Sequence, residues 1–182
     1  RWYGTVEDIH ERYLADQKLR IQAFQDDLTG LPNRRRFVDE LQRRLRSAAE
    51  PVGLMVLDMD DFKLVNDRYG HLTGDAVLRL FGRYLERTVD PSDFVARLGG
   101  DEFAIICRHT LNETVLLERA RRIESSLDAR LRSNKKSRSC RPSIGCTVGQ
   151  HGENPDEVFK RADLALYAAK AAGKGTTRLF DP

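Results

Sequence analysis

The stretch from Phe94 to Ile106 constrains the fold most, because two strand-like runs in it flank a Gly-Gly pair. The runs are rich in β-branched and aromatic residues, and glycine supplies the positive φ angles of a tight turn, so the stretch predicts a β-hairpin. Two carboxylates, Asp101 and Glu102, follow the turn directly. Successive strand residues point to opposite faces, so these acids should not duplicate each other. Taken alone, the hairpin fits either a metal or phosphate site at a bare tip or a charged, solvated edge.

Helices and strands alternate around this hairpin in the predicted order β, helix, β-hairpin, helix, β, helix, β. Val52–Met59 is an apolar run typical of a strand buried on both faces, and it ends in Asp58, Asp60 and Asp61. Acids at the end of a buried strand favour either a compensating hard cation or a loop in solvent. Asp58 is the last residue that follows the side-chain alternation of the strand, so it is the best placed to reach a metal beside the hairpin. The whole order predicts a mixed α/β sandwich of the ferredoxin-like type.

The predicted helices carry apolar faces that should pack on the core. They also carry a few charged residues that either stabilise the helix or bind a ligand. A helix capped by Asn33 should run to about Ser47. A second should open at Gly74-Asp75, so that Asp75 sits in its first turn, where the helix dipole alone would explain an acid. A third covers about 111–131, and a last one begins at 155 and is capped near 173. In that last helix Lys170 and Lys174 lie four residues apart, which suits either the dipole or a polyphosphate. The first of these helices should turn Val38, Leu41 and Leu45 inward.

Residues 1–26 predict one helix that precedes a domain over 27–182. Its apolar residues Trp2, Val6, Ile9 and Tyr13 are spaced 4, 3 and 4 residues apart. Such a helix either packs on its own domain or forms a parallel dimeric coiled coil that transmits a signal from a missing upstream sensor. The chain begins with Arg rather than Met, so we interpret it as part of a longer protein.

Composition excludes several function classes. A net charge of +3 over 182 residues does not call for a nucleic-acid partner. No apolar run approaches the ~18 residues of a membrane span, so we expect no membrane contact by this segment. Three cysteines without metal spacing fit reduced thiols and a cytoplasmic location.

The hairpin residues Gly99-Gly100-Asp101-Glu102-Phe103 spell out the signature of the GGDEF diguanylate cyclase family. The segment from Asp27 to Arg35 also resembles the N-terminal motif of that family, Asp-x-Leu-Thr-x-Leu-x-Asn-Arg-Arg. The segments 58–75 and 170–174 follow in family order, and the resemblance covers residues from about 27 to 180. It implies the nucleotidyl-cyclase, palm-like variant of the predicted architecture.

The resemblance implies an enzyme that joins two GTP molecules into cyclic di-GMP and releases two pyrophosphates, with two Mg²⁺ or Mn²⁺ ions per active site. The implied metal ligands are Asp58, the Met59 carbonyl, Asp101 and Glu102. Catalysis is implied for Asp101, for Lys63 and for Glu102, which is also the candidate for accepting the proton of the ribose 3′-hydroxyl. The implied GTP contacts are Phe62, Asn66, Asp75, Arg97, Gly99, Gly100, Lys170 and Lys174. Among these, Asp75 would accept both donors of the guanine edge, which discriminates against adenine.

The product is two-fold symmetric and each half-site binds one GTP, so the working enzyme should be a homodimer with facing hairpins. The chain end resembles cyclases that continue into a phosphodiesterase (EAL) domain. A GTP-binding module that regulates such a domain without turnover, or a dimerisation or product-binding scaffold, therefore stays open as an alternative. Asp101 and Glu102 are intact, which favours the enzyme.

The sequence departs from the family pattern in two places. Lys174 stands where members often have Arg, and Gly175 where many have Asn, so phosphate binding should be looser. The inhibitory motif, Arg-x-x-Asp, is degenerate because Asp90 and Asp93 hold its two charged positions. Arg87 fits the pattern only three residues too early, and we expect little product inhibition through this site.

Overall fold

The computed structural model describes residues 23–47, 51–110 and 112–181. The predicted helix over residues 1–26 lies almost wholly outside these ranges. Within them the helices are α1 (Arg34–Ser47), α2 (Phe62–Tyr69), α3 (His71–Thr88), α4 (Glu113–Arg132) and α5 (Pro155–Ala171). The strands are β1 (Val52–Asp60), β2 (Phe94–Gly99), β3 (Glu102–Cys107), β4 (Arg141–Gly149) and β5 (Thr177–Leu179).

The strands form one five-stranded sheet in the order β2-β3-β1-β4-β5. β1 pairs antiparallel with both β3 and β4, and β2 pairs antiparallel with β3, whereas β5 pairs parallel with β4. The predicted hairpin is therefore β2–β3, and β1 lies at the centre of the sheet. Every residue of β1 is buried, as its continuous apolar run predicts. This mixed sheet with helices confirms the predicted fold class.

Helices cover both faces of the sheet. The face formed by Leu54 and Val56 of β1 packs in one apolar cluster with Phe37 and Leu41 of α1 and with α5. The opposite face packs against α2, α3 and α4 in a second cluster. Because side chains alternate along a strand, the even-numbered residues of β1 all face α1 and α5.

α5 lies close against β4 because Gly145 has no side chain. A Cβ atom there would overlap the backbone of α5 at Ala162 and Leu166. This approach brings the next turn of α5, with Lys170, over the end of β1. Among the described residues, no helix is both long and apolar enough to cross a membrane.

Three details of the helices differ from the sequence predictions. Val38 is 41% exposed, and Phe37 is buried in its place. α3 begins at His71, so Gly74 does not open the helix and Asp75 lies beyond its first turn. α5 ends at Ala171, so Lys174 lies beyond it and does not share a helical face with Lys170.

Candidate active site

The acids at the end of β1 and the hairpin acids meet at one end of the sheet. Asp58 continues the even-numbered face of β1, and it lies directly opposite Glu102 of β3. Side chains of directly opposite residues in an antiparallel pair project to the same face. The Met59 N–H donates to the Asp101 carbonyl at 3.3 Å, so Asp101 also lies beside the end of β1. The structure thus brings three of the predicted site residues, Asp58, Asp101 and Glu102, together.

Asp58 is a nearly buried carboxylate, 7% exposed, whose Oδ2 lies 2.7 Å from Lys170 Nζ. Burial raises its pKa, and the negative charges of Asp101 and Asp60 act in the same direction. The Lys170 hydrogen bond opposes this shift, but the pKa stays above its usual value. The site therefore concentrates more negative charge than Lys170 neutralises, which is the electrostatic condition that a divalent cation relieves.

The acids fit a magnesium site of the kind that substrate completes. In the described part of the chain, no three His, Cys, Asp or Glu side chains converge closely enough to hold a metal. Mg²⁺ is typically bound by one or two carboxylates together with waters and substrate phosphates, rather than by an all-protein cage. Asp58 and Asp101 supply two such carboxylates. Of the groups of Met59 only the predicted backbone carbonyl suits such a metal, because a hard cation takes oxygen ligands rather than a thioether sulfur.

The hairpin turn is bare, as predicted. Gly99 has φ 143° and Gly100 φ 52°, which favour glycine, and a Cβ atom at either position would meet nothing within 4 Å. A bulge between Arg97 and Gly99 shifts the strand register next to the turn. Open space above two glycines leaves room for a ligand to approach the backbone.

Arg97 supports this turn from inside the protein. Its Nε and Nη2 donate to the Gly100 carbonyl at 3.1 and 2.7 Å, and its Nη1 donates to both Asp26 oxygens at 2.8 and 3.0 Å. Arg97 is 9% exposed. This geometry favours a structural role for Arg97 over the predicted contact with GTP.

Asp26 is a residue that the sequence analysis did not single out, although it matches the aspartate that opens the N-terminal family motif. It accepts hydrogen bonds from the Thr29 N–H at 2.9 Å and the Thr29 hydroxyl at 2.7 Å. Burial alone would raise its pKa, but these bonds and the Arg97 pair outweigh burial and hold the pKa below its ordinary value. The motif therefore has a structural reason in this chain, because its aspartate anchors Arg97 and thereby the hairpin turn.

Two further segments next to the acids, the turn after α5 and the start of α2, carry lysines. Lys174 lies in the turn after α5 with φ 62°, and its Nζ contacts Asp61 Oδ1 at 2.7 Å. Lys63 is exposed in the first turn of α2. Asp61 precedes α2 in a left-handed conformation, and no side chain caps the helix. The backbone N–H groups that begin at Phe62 are thus free of a side-chain cap and can serve an anion.

Gly74 lies against one predicted nucleoside contact, Asn66, and directly precedes the other, Asp75, in the chain. A Cβ atom at Gly74 would overlap the side-chain oxygen of Asn66, so the glycine leaves the space that this oxygen occupies. That Asn66 oxygen is buried, and within the described residues it has no hydrogen-bond partner. Asp75 follows Gly74 in α3 and is half-buried. An unpaired buried acceptor is a group that a hydrogen-bond donor of a ligand would satisfy.

The degenerate inhibitory motif has internal partners. The Asp93 side chain is fully buried and lies 2.6 Å from Arg119, and it also accepts the N–H groups of Arg108 and Asp90. Asp90 itself accepts hydrogen bonds from the N–H and hydroxyl of Ser92. α3 ends at Thr88, before Pro91, as the proline predicts. Both acids therefore stabilise the loop that leads into β2.

Comparison with known proteins matches this chain to one family. The family model described as "Diguanylate cyclase, GGDEF domain" matches residues 23–176. Diguanylate cyclase DgcP of Pseudomonas aeruginosa is 40% identical over 168 residues, which are 89% of this chain and 24% of that protein. Cyclic di-GMP phosphodiesterase PdeR of Escherichia coli is 36% identical over 177 residues, which are 96% of this chain and 27% of that protein. The chain thus spans about a quarter of the length of these curated relatives.

Solved structures of the same kind superpose on the chain. The coiled coil and GGDEF domain of DgcB from Caulobacter crescentus, in complex with c-di-GMP, superposes with a TM-score of 0.86 at 32% identity. That match covers 97% of this chain and 96% of the DgcB chain.

Proposed function

Because the chain belongs to the GGDEF diguanylate cyclase family, we propose that it condenses two GTP molecules into cyclic di-GMP and releases two pyrophosphates. The observation that carries this proposal is the meeting of Asp58, Asp101 and Glu102 beside a bare glycine turn. DgcP and PdeR are each about four times as long as the matched region, so the proposal concerns this domain.

In each half-reaction the ribose 3′-oxygen of one GTP attacks the α-phosphorus of the other. A new P–O bond forms, the bond to the β-phosphate oxygen breaks, and pyrophosphate leaves. To Glu102, in the strand beside the bare turn, we assign the role of accepting the proton that the 3′-hydroxyl loses. Asp58, Asp101 and the Met59 carbonyl would hold Mg²⁺ or Mn²⁺, which would supply positive charge against the phosphoryl oxygens. We propose two such ions per site.

The triphosphate is bound by the groups that surround the acids. Lys170 and Lys174 lie 2.7 Å from Asp58 and Asp61, and we assign the β- and γ-phosphates to their ammonium groups. Lys63 and the uncapped backbone at the start of α2 add a further charge and N–H donors. Lysine binds phosphate as a point charge, which suits a flexible polyphosphate chain.

Guanine is selected by the pair Asn66 and Asp75. Guanine presents the N1–H and N2 amine donors on one edge, and adenine does not. The unpaired side-chain oxygen of Asn66 and the carboxylate of Asp75 are the acceptors that we assign to this edge. Adenine lacks two adjacent donors, so it would leave an acceptor without a partner, which is costly where that acceptor is buried.

The reaction needs two copies of the chain. Each copy offers one set of these residues, and the product contains two equivalent nucleotides, so we propose a homodimer in which the two hairpin turns face each other.

A second candidate function follows from the phosphodiesterase relative. The chain is 36% identical to PdeR over 96% of its length. A domain of this kind can bind GTP without turnover and regulate an attached phosphodiesterase domain. The intact Asp101 and Glu102 favour the cyclase, because a regulatory module does not require the hairpin acids.

The test is incubation of the purified chain with GTP and Mg²⁺, with mass-spectrometric detection of cyclic di-GMP. We expect product from the wild type and from Glu118→Gln, an exposed acid in α4, and none from Glu102→Gln. GTP binding without product in the wild type would support the regulatory module. Turnover by Glu102→Gln at the wild-type rate would refute the assignment of the hairpin as the catalytic centre.

A further inference from the structure

Asp60 is a buried carboxylate to which the mechanism above gives no role. It is the last residue of β1, is 3% exposed and lies on the same face as Asp58. Its Oδ2 accepts a hydrogen bond from the Ser143 hydroxyl at 2.6 Å and another from the Gly175 N–H at 2.7 Å. The Gly175 N–H also lies 3.0 Å from Ser143 Oγ. A carboxylate is kept in this buried position by two short bonds, and one of them reaches the turn after α5.

That turn has an unfavourable backbone. Gly173, Lys174 and Gly175 have φ values of 118°, 62° and 52°, so three consecutive residues occupy the left-handed region. Glycine adopts such angles freely, but Lys174 does so at a cost of about 1 kcal/mol or more. A turn of this kind persists only when surrounding contacts hold it. Asp60 and Ser143 supply such a contact at Gly175, directly after Lys174.

We propose that Asp60 is a positioning residue that fixes the turn carrying Lys174, and thereby holds the Lys174 ammonium group for the terminal phosphates of the nucleotide. The inference rests on the proposed function, because it assigns Lys174 to the triphosphate. The sequence pattern of the strand does not reveal it. Asp60 looks like one more member of an acidic cluster until Ser143 and Gly175 are placed beside it.

Hydrogen bonding, rather than negative charge, carries this role. Both bonds end on the same oxygen, Oδ2, so an amide oxygen can accept both. Asp60→Asn should therefore preserve the turn, whereas Asp60→Ala should release it. A role for Asp60 as a metal ligand makes the opposite prediction, since asparagine lacks the charge that a hard cation requires.

The experiment measures the binding of 3′-deoxy-GTP with Mg²⁺ by calorimetry, because this nucleotide lacks the attacking hydroxyl and cannot react. We expect Asp60→Ala to weaken binding at least about five-fold, since a charge-assisted contact contributes roughly ten-fold or more to affinity. Lys174→Ala should weaken it at least as much. The double variant should bind no worse than Lys174→Ala alone, because the two residues act through one contact. GMP, which lacks the terminal phosphates, should bind wild type and Asp60→Ala equally in an NMR titration.

Two further variants keep the test decisive if Asp60→Ala does not fold. Asp60→Asn should bind 3′-deoxy-GTP like the wild type. Ser143→Ala should weaken binding less than Asp60→Ala does. Ser137 is a buried serine whose hydroxyl donates to the Leu131 carbonyl, and Ser137→Ala should leave binding unchanged. Additive losses for Asp60 and Lys174, or equal losses for GMP and 3′-deoxy-GTP, would overturn the positioning role alone. A wild type that binds no guanine nucleotide would overturn the proposed function together with it.

Discussion

A single methyl group added at Gly74 should separate nucleotide affinity from stability. A Cβ atom at this position would overlap the Asn66 side-chain oxygen and lie 3.0 Å from Asn66 Cγ and 3.1 Å from Phe62 Cζ. The backbone of Gly74 is helical, with no positive φ. Gly74→Ala therefore leaves the helix intact and forces the Asn66 side chain, which is only half-buried, to turn away.

Gly74→Ala changes the stability in two opposite ways, through helix propensity and through the displaced side chains. Replacing glycine by alanine inside a helix stabilises it by about 0.8–1 kcal/mol, which offsets much of the cost of moving Asn66 and Phe62. We therefore expect the free energy of unfolding to stay within about 1 kcal/mol of the wild-type value. A lost hydrogen bond from Asn66 to guanine costs about 0.5–1.5 kcal/mol, so GTP affinity should fall by roughly two- to thirteen-fold.

The assay is calorimetric titration with 3′-deoxy-GTP and 3′-deoxy-ATP, alongside urea unfolding of the same samples. Gly82→Ala is the matched control, because Gly82 lies in the same helix and its added Cβ would contact Leu31 at 3.1 Å, not the nucleotide site. The control should keep the wild-type affinity and selectivity. A folded Gly74→Ala variant with unchanged GTP affinity would refute the role of Asn66 and the use of its unpaired oxygen.

Three further predictions follow from the site and its surroundings. Asp75→Ala should weaken GTP binding and narrow the preference over ATP in calorimetry, and unchanged selectivity would return Asp75 to a purely helical role. Asp26→Asn should lower the free energy of unfolding by about 1–3 kcal/mol at pH 7. Because the pKa of Asp26 is depressed, this difference from wild type should shrink as pH falls below about 4, in urea unfolding at several pH values. Cyclic di-GMP titrated into a turnover assay should inhibit product formation only weakly. Strong inhibition that Arg87→Ala removes would contradict the prediction that the inhibitory motif is degenerate.

Local sequence signals predicted most of the fold. The hairpin at Gly99 and Gly100, the buried strand β1 and the N-cap of α1 each depend on neighbouring residues alone. The Arg36 N–H indeed lies 3.1 Å from Asn33 Oδ1, and Asn112 and Asn154 cap α4 and α5 in the same manner. Errors arose where a boundary depends on tertiary contacts. α3 begins at His71, three residues before Gly74. The glycine does not start the helix but leaves room for the Asn66 side chain of α2.

The site was harder to predict where it depends on distant pairs. Spacing alone placed Lys174 on a helix with Lys170, but the helix ends first and the turn brings Lys174 to Asp61. Arg97 matches a ligand-binding position of the family, but in the fold it donates to Asp26, which lies 71 residues away in sequence. Asp60 joins Gly175 across 115 residues. No periodicity reports such partners, since they are set by the order of strands in the sheet.

The charges of the site also bear on how metal and nucleotide bind together. Lys170 and Lys174 each contact a carboxylate, Asp58 and Asp61, at 2.7 Å. To bind the proposed cation, Asp58 would give up its contact with Lys170, whose side chain is 36% exposed. A triphosphate that arrived with the cation would give this lysine a new partner in the same step. We therefore expect the metal and GTP to bind more tightly together than either one does alone.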